Sequence, residues 1–393
     1  MNKKRFTKKQ QAKLIVTVVN DISPTSMALN EFVLYRAKHY SDEKHFIVVF
    51  LPVDEKTKAI YQTKIASYNV EIIECYGNLR RFFTSIYSFI KAAHQQGKQI
   101  LCHLHNPKTA LMLIIEWLIL ANRFKLPKLY TVHSVYTRYS ALNKFGTFLS
   151  ILLCDKVSCN SYSSYLALPQ IARNIRKNEL NVIFNGIDIT GIDAIAANGE
   201  ANRSLFANDV GQRFRLISVN RCVKAKNISF LLKVLRDLPP FITLTLVGDG
   251  ILLPNLKQQA KKLKIDDRVF FTGRLSREAV YREVLQADVY ISSSIWEGLG
   301  NAVLEAMALR KPVVLSNIKP YKEIAKKGKG SIKVIDFNIK EWTILIKKLS
   351  QESKDTLQEL GEANRKIVED NFSLKKMHEE YSQIYKFLWN QSI

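Results

Sequence analysis

Short apolar runs alternate with helix-patterned stretches along the whole chain, and this alternation limits the fold more than any other feature. Strands are expected at 14–19, 45–51, 70–75, 100–104, 128–132, 156–159 and 181–184. A second series occupies 214–219, 243–247, 269–272, 289–292, 312–315 and 331–334. Strands separated by helix-length crossovers pair in parallel, so each series predicts its own α/β sheet. At 393 residues the chain is also too long for one comfortable core. Between the series, 186–212 is rich in Gly, Ala, Asn and Asp with little strand character, and is expected to be the linker. The expected division is 1–190, then 191–372, then a closing helix over 373–393. That helix carries Met377, Tyr381, Ile384, Phe387 and Leu388 at helical spacing.

Chemistry concentrates in the second series. Glu297-Gly298-Leu299-Gly300-Asn301-Ala302-Val303-Leu304-Glu305 sets two carboxylates around a glycine loop that enters a helix. Glu297 falls in the loop after a strand, and Glu305 about one turn inside the helix, with Asn301 as the expected cap. Backbone amides and partial positive charge at that helix start suit a phosphate, while carboxylates on either side accept hydrogen bonds from hydroxyls. Ribose, diphosphate and hexose, the parts of a nucleotide-sugar, have this layout. Upstream, the strand 214–219 runs into Asn220-Arg221-Cys222-Val223-Lys224-Ala225-Lys226-Asn227. Ligands of open α/β sheets collect beyond the carboxyl ends of strands, so Arg221 and Lys226 are expected beside the Glu297 loop, neutralising a diphosphate.

At these residues the chain resembles the retaining glycosyltransferases of the GT-B architecture, in particular their large family 4. The resemblance runs in the family's order through 216–227, Leu246-Val247-Gly248-Asp249-Gly250, Val269-Phe270-Phe271-Thr272-Gly273-Arg274, Ala287-Asp288-Val289, 297–308 and Lys311-Pro312-Val313-Val314. In the first half it rests on His103-Leu104-His105, Thr131-Val132-His133, 154–161 and 182–188. It implies two Rossmann-like domains facing across a cleft, the first binding acceptor and the second binding donor. The closing helix is implied to cross back onto the first domain.

The resemblance also implies roles. Glu305 holds the ribose and Glu297 the hexose. The amides of Leu299, Gly300, Asn301, Ala302 and Val303 approach phosphate and sugar, which Gly298 and Gly300 permit by lacking a Cβ. Gly248 and the Gly273-Arg274-Leu275 loop line the base pocket through their backbone. His133 contacts the donor sugar from the acceptor side, where Thr25, Ser26 and His105 are further candidates. Arg221 and Lys226 stabilise the leaving diphosphate, work a metal does elsewhere. With no convincing Asp-x-Asp after a strand, neither metal nor cofactor is expected beyond the nucleotide-sugar. Front-face attack assisted by the departing phosphate needs no general base. His103 and His105 point to one side of a strand; two ligands make a weak metal site, and satisfied polar partners are the expectation.

Three positions depart from the family pattern. The first loop reads Ile22-Ser23-Pro24-Thr25-Ser26-Met27 in place of a glycine pair, Arg310 replaces a glycine before Lys311, and Asn220 replaces one before Arg221. They keep open a noncatalytic partner subunit of another transferase. A nucleotide-sugar 2-epimerase shares fold and ligand, but the two-glutamate block with its Arg and Lys argues against it. The leading expectation is transfer of a hexose or N-acetylhexosamine, from a UDP-sugar or less readily from GDP-mannose, to a lipid-linked or oligosaccharide acceptor in bacterial surface polysaccharide synthesis.

Composition constrains partners. Hydrophobic residues make up 47% and charged residues 24%, an ordinary globular balance, and five cysteines without a Cys-x-x-Cys pair point to buried free thiols in a reducing compartment. The net charge of +24 calls for an anionic partner. Zinc-finger spacing, RNP-type strands and Arg-Gly tracts are absent, which argues against nucleic acid. An anionic membrane is the better fit, since 78–98 mixes Arg80, Arg81, Lys91 and Lys98 with Phe82, Phe83, Ile86, Tyr87, Phe89 and Ile90 in a basic amphipathic pattern. The alternative for that segment is a surface helix packing its aromatic stripe into the core. The basic N-terminus precedes only the short apolar run 14–19, which is no signal peptide, and the apolar run 110–121 contains Glu116 and is too short to span a bilayer. A cytoplasmic protein, peripheral on the inner face of the plasma membrane, is expected.

Overall fold

The computed structural model describes residues 13–22, 32–119, 126–199, 213–328 and 331–391. Both series of strands form. β1 (Lys13–Val19), β2 (Glu43–Val49), β3 (Val70–Glu74), β4 (Gln99–Leu104), β5 (Lys128–Val132), β6 (Lys156–Cys159) and β7 (Leu180–Val182) make a parallel sheet in the order β3-β2-β1-β4-β5-β6-β7. β8 (Phe214–Val219), β9 (Ile242–Val247), β10 (Val269–Gly273), β11 (Val289–Ser292), β12 (Val313–Ser316) and β13 (Lys333–Ile335) make a second, in the order β10-β9-β8-β11-β12-β13. The described residues divide into two compact units. One holds the first sheet, Ser164–Ile183 and the residues from His378 onward; the other holds Ser161–Ser163 and Phe184–Met377. Two Rossmann-like α/β domains are therefore present.

In the first unit, alternate residues of the strands face opposite layers. One face carries Val16, Val18, Cys102, Leu104, Tyr130, Val132, Val157 and Cys159. The Leu79–Gln95 helix packs Phe82, Ile86 and Ile90 against that face, with Phe83 and Phe89 beside them, while Arg80, Arg81 and Lys91 stay exposed. The amphipathic pattern at 78–98 is thus a core-packing pattern, and its aromatic stripe is not a membrane-facing one. The described part of the apolar run 110–121 lies on the Pro107–Ile119 helix; Ala110 to Ile114 are buried, but Ile115 and Leu118 are exposed. Glu116 on the same helix is buried, and desolvation pushes its carboxyl up to about 8.

The opposite face presents the polar row His103, Thr131 and Ser158, all buried. Buried polar groups need partners, and the Leu374–Gln391 helix supplies them. Tyr385 Oη lies 2.7 Å from His103 Nδ1, and Tyr381 Oη lies 2.9 Å from Ser158 Oγ and 3.3 Å from Thr131 Oγ1. Arg36 is buried beside them, donating from Nε to Glu43 at 2.8 Å and from Nη1 to Ser382 at 3.0 Å.

In the second unit the Ile228–Arg236, Leu253–Lys262 and Ile339–Gln351 helices cover one face of the sheet, with Leu231, Leu235 and Trp342 in the core. On the other face lie Arg277–Gln286, Asn301–Ala308 and Lys319–Ala325, with Tyr281, Val303 and Tyr321 buried among them. A correction falls on 186–212: its described part contains the Ile189–Gly199 helix, with Asp193 paired to Arg365 at 2.7 Å. Ile189, Ile192 and Ile195 give this segment a helical apolar stripe, which explains its poverty in strand signal. All five cysteines are free and buried, and burial raises each thiol above its ordinary value. No described helix is long and apolar enough to cross a membrane.

Candidate functional site

Strand order reverses between β8 and β11, which are paired neighbours, and the two motif segments leave their adjacent carboxyl ends. Asn220 N donates to Val247 O at 2.9 Å as the chain exits β8. Gly248 has φ +127°, and a Cβ there would stand 2.0 Å from Asn220 O, so only glycine lets these two loops meet. Beyond Cys222, a short turn at Lys224–Lys226 leads through Asn227 into the Ile228–Arg236 helix. The loop after β11 is stitched to this turn. Ser293 Oγ donates to Lys226 O at 3.1 Å and Asn227 O at 3.0 Å, and Ile295 N donates to Ala225 O at 2.7 Å.

The stitching brings Lys226 onto Glu297, with Nζ 2.5 Å from Oε1. Ser294 Oγ donates to the same oxygen at 2.7 Å, and Tyr321 Oη at 3.3 Å. Burial, reinforced by Glu297, raises the Tyr321 hydroxyl well above its ordinary value, so it stays a neutral donor. Glu305 is held separately: Arg277 Nη2 donates to its Oε1 at 2.8 Å and Tyr281 Oη at 2.9 Å. Each carboxylate thus meets one cation and at least one hydroxyl. Sequence reading missed Ser294, Tyr321, Arg277 and Tyr281. The spacing of Arg277 and Tyr281, four apart on one helix face, was the available signal.

The helix between the carboxylates is Asn301–Ala308, and Gly300 is its N-cap at φ +106° without a side-chain capping bond. Asn301 is therefore the first helical residue rather than the cap, and its Oδ1 accepts from Asn185 Nδ2 at 3.1 Å. The loop must turn left-handed to enter the helix, and a Cβ at Gly300 would fall 2.7 Å from Tyr321 Cε1. Gly298 is fixed through its carbonyl, which accepts from Ser161 Oγ at 2.6 Å. Leu299 and Val303 are buried in the core, and Ala302 is half-buried, so this stretch offers a ligand mainly backbone. Amides of a helix's first turn lack intrahelical partners and carry the positive end of its dipole.

Arg221 is exposed on the β8 loop, and its side chain has no described hydrogen-bond or ion-pair partner. Arg274 is exposed after Gly273, which has φ +69°, and Leu275 packs into the core. Thr25 and Ser26 lie outside the described residues. His103, His105 and His133 belong to the first unit. His103 is satisfied on both ring nitrogens, by Tyr385 and Thr131, each at 2.7 Å. His105 Nδ1 lies 2.9 Å from His133 Nε2. Burial lowers all three, His133 to about 4, so they are neutral near pH 7. Among the described residues no group of three His, Cys, Asp or Glu is placed to hold a metal ion.

A parallel α/β unit with a lysine, two paired carboxylates and a glycine-entered helix at its switch point has the layout in which open α/β sheets commonly hold phosphate-bearing ligands. Comparison with known proteins narrows this. The family described as glycosyl transferases group 1 matches residues 204–367, and that described as glycosyltransferase family 4 matches 29–190. An uncharacterised glycosyltransferase of Methanocaldococcus jannaschii is 28% identical over 221 residues, covering 55% of each chain. The O-antigen biosynthesis glycosyltransferase WclY of Escherichia coli is 29% identical over 243 residues, or 61% of this chain and 64% of WclY. The matches thus span a little over half the length of these relatives. Among solved structures, HepE of Anabaena in complex with UDP and glucose superposes with a TM-score of 0.74 at 18% identity, covering 96% of this chain and 99% of HepE. The chain belongs to the group 1 glycosyltransferases of the GT-B fold.

Proposed function

We propose that the chain moves a hexose or N-acetylhexosamine, with retention of anomeric configuration, from a UDP-sugar to a lipid-linked glycan in surface polysaccharide synthesis. The observation that carries this reading is the Lys226 to Glu297 contact beside the Asn301–Ala308 helix start. Lys226 and Arg221 receive the diphosphate with the first-turn amides, Glu305 the ribose and Glu297 the hexose. As the bond from the anomeric carbon to the diphosphate oxygen breaks, charge builds on the leaving group, and fixed cations and amides stabilise it more than they stabilise the bound donor. The acceptor oxygen bonds to the same face, and its proton passes to the departing diphosphate. Protein cations do this without metal. The relationship to an O-antigen transferase supports a surface-glycan acceptor, and the net charge of +24 supports an anionic partner, which we read as the inner face of a membrane.

Calorimetry with UDP, GDP and ADP, with and without a chelator, tests the donor. UDP should bind best, and chelation should change nothing. Slow release of UDP from a panel of UDP-sugars, abolished in Glu305→Ala and Lys226→Ala, tests the chemistry. Binding without release in the presence of acceptor lipid extracts would favour a noncatalytic subunit, and isomerised sugar without acceptor would favour an epimerase.

A further inference from the structure

The two rings of His105 and His133 are nearly coplanar, 22° apart, with centroids 5.2 Å apart and the facing nitrogens at 2.9 Å. That is an end-to-end hydrogen bond, in which one ring nitrogen donates and the other accepts. Burial keeps both rings neutral, so each carries a single ring proton. Only two arrangements are available. If His133 Nε2 donates, His105 must carry its proton on Nε2. That atom is buried without a hydrogen-bond partner among the described residues, and the His105 ring packs against the Phe32 and His103 rings with centroids 4.9 Å and 4.0 Å away. A buried N–H left unpaired is a rare and costly outcome. If His105 Nδ1 donates, the orphan at His105 Nε2 is only a lone pair, and the proton of His133 moves to Nδ1. No described residue bonds to that nitrogen, and His133 as a residue is half-buried.

We infer that His105 is a positioning residue that holds His133 as the Nδ1–H tautomer, making His133 a neutral hydrogen-bond donor to a sugar oxygen. Its one lone pair is spent on His105, so His133 does not serve as a general base. The role toward sugar rests on the transferase reading above; the tautomer does not.

The test is long-range nitrogen-15 to proton NMR on the full chain labelled at histidine, with ring signals assigned through His105 and His133 variants. Wild type should show His133 protonated on Nδ1 and bare on Nε2 near pH 7.5. His105→Asn keeps an N–H donor where Nδ1 stood and should preserve that pattern. His105→Leu removes the donor and should leave His133 mixed between tautomers. In turnover of a UDP-sugar, His105→Leu should lower kcat about tenfold, the loss of one hydrogen bond, with UDP affinity unchanged, and His105→Asn should recover most of it. A wild-type His133 protonated on Nε2, or identical His133 patterns in the Asn and Leu variants, overturns the inference. The expected spectrum in a protein that turns over no donor sinks the functional reading and leaves the tautomer standing.

Discussion

Replacing Lys226 by Met and Glu297 by Gln, singly and together, separates what their contact does for the fold from what each does for a donor. The pair is close, at 2.5 Å, and mostly buried, with side-chain exposures of 18% and 13%. Removing either partner leaves a partly desolvated charge, although Ser294 and Tyr321 still donate to Glu297. A fully buried pair broken on one side costs roughly 3–5 kcal/mol; residual solvent and hydroxyls reduce this to about 2 kcal/mol for each single change. The double variant, with neither charge, should recover about half of that loss. Donor binding should split differently. A hydrogen bond to a charged group contributes about 1.5–3 kcal/mol, so Lys226→Met should weaken UDP by about 10- to 100-fold. Glu297→Gln, acting at the proposed hexose contact and leaving Lys226 in place, should keep UDP within about threefold and still slow turnover by about 100-fold. Urea unfolding and UDP calorimetry on the four proteins read both quantities. If Lys226→Met binds UDP as tightly as wild type, the lysine is a structural partner of Glu297 and not a phosphate ligand.

Arg277→Ala and Tyr281→Phe should each loosen Glu305 and raise KM for donor several-fold while leaving kcat nearly unchanged, because they act through a ribose contact; steady-state kinetics decides, and an equal fall in kcat refutes it. Arg310 sits at φ +58°, and its Nε pairs with exposed Glu362 at 2.9 Å. Left-handed backbone costs about 1–2 kcal/mol without glycine, more than an exposed ion pair returns, so Arg310→Gly should raise the unfolding midpoint and Arg310→Ala should lower it. Glu116 has its folded carboxyl raised to about 8 against about 4.3 when unfolded. Between those values the folded chain holds a proton that the unfolded chain has released, so its stability falls as pH rises through that window. Glu116→Gln should therefore stabilise more at pH 8 than at pH 5 in thermal melts; an unchanging gap would mean the carboxyl is already ionised.

Much of this fold was legible because parallel strands buried on both faces read as uninterrupted apolar runs, and glycine after a strand marks where loops cross at a switch point. Gly248 and Gly300 show the mechanism: each occupies a left-handed conformation, and a side chain on either would strike a neighbour. Arg310 takes the same kind of backbone with a side chain present, so the missing family glycine there is a local strain and not a rebuilt loop. What stayed hidden depends on contacts between distant segments. Phe82, Ile86 and Ile90 have the same spacing whether they face lipid or a sheet, and only the sheet decides. Glu305 looks unpaired until the Arg277–Gln286 helix is laid beside it, and nothing local says that Tyr321 reaches Glu297. Asn301 was expected to cap by residue type, yet the loop needed a left-handed turn one position earlier, which glycine provides.

The pairing of both carboxylates also answers an electrostatic difficulty in the motif itself. Two unpaired glutamates at a helix start would be stabilised by its dipole and would repel the diphosphate expected there. With Lys226 against Glu297 and Arg277 against Glu305, each at no more than 2.8 Å, that repulsion is largely cancelled before donor arrives. The amide dipoles then remain as positive charge at this helix start, and exposed Arg221 adds to it from the loop after β8. A carboxylate already satisfied on one oxygen can still accept from a sugar hydroxyl on the other, so neutralisation and hydroxyl recognition do not compete. As the phosphate site proposed above, the two-glutamate motif depends on cations contributed by other elements, and variants that strip Lys226 or Arg277 should weaken its hold on anions.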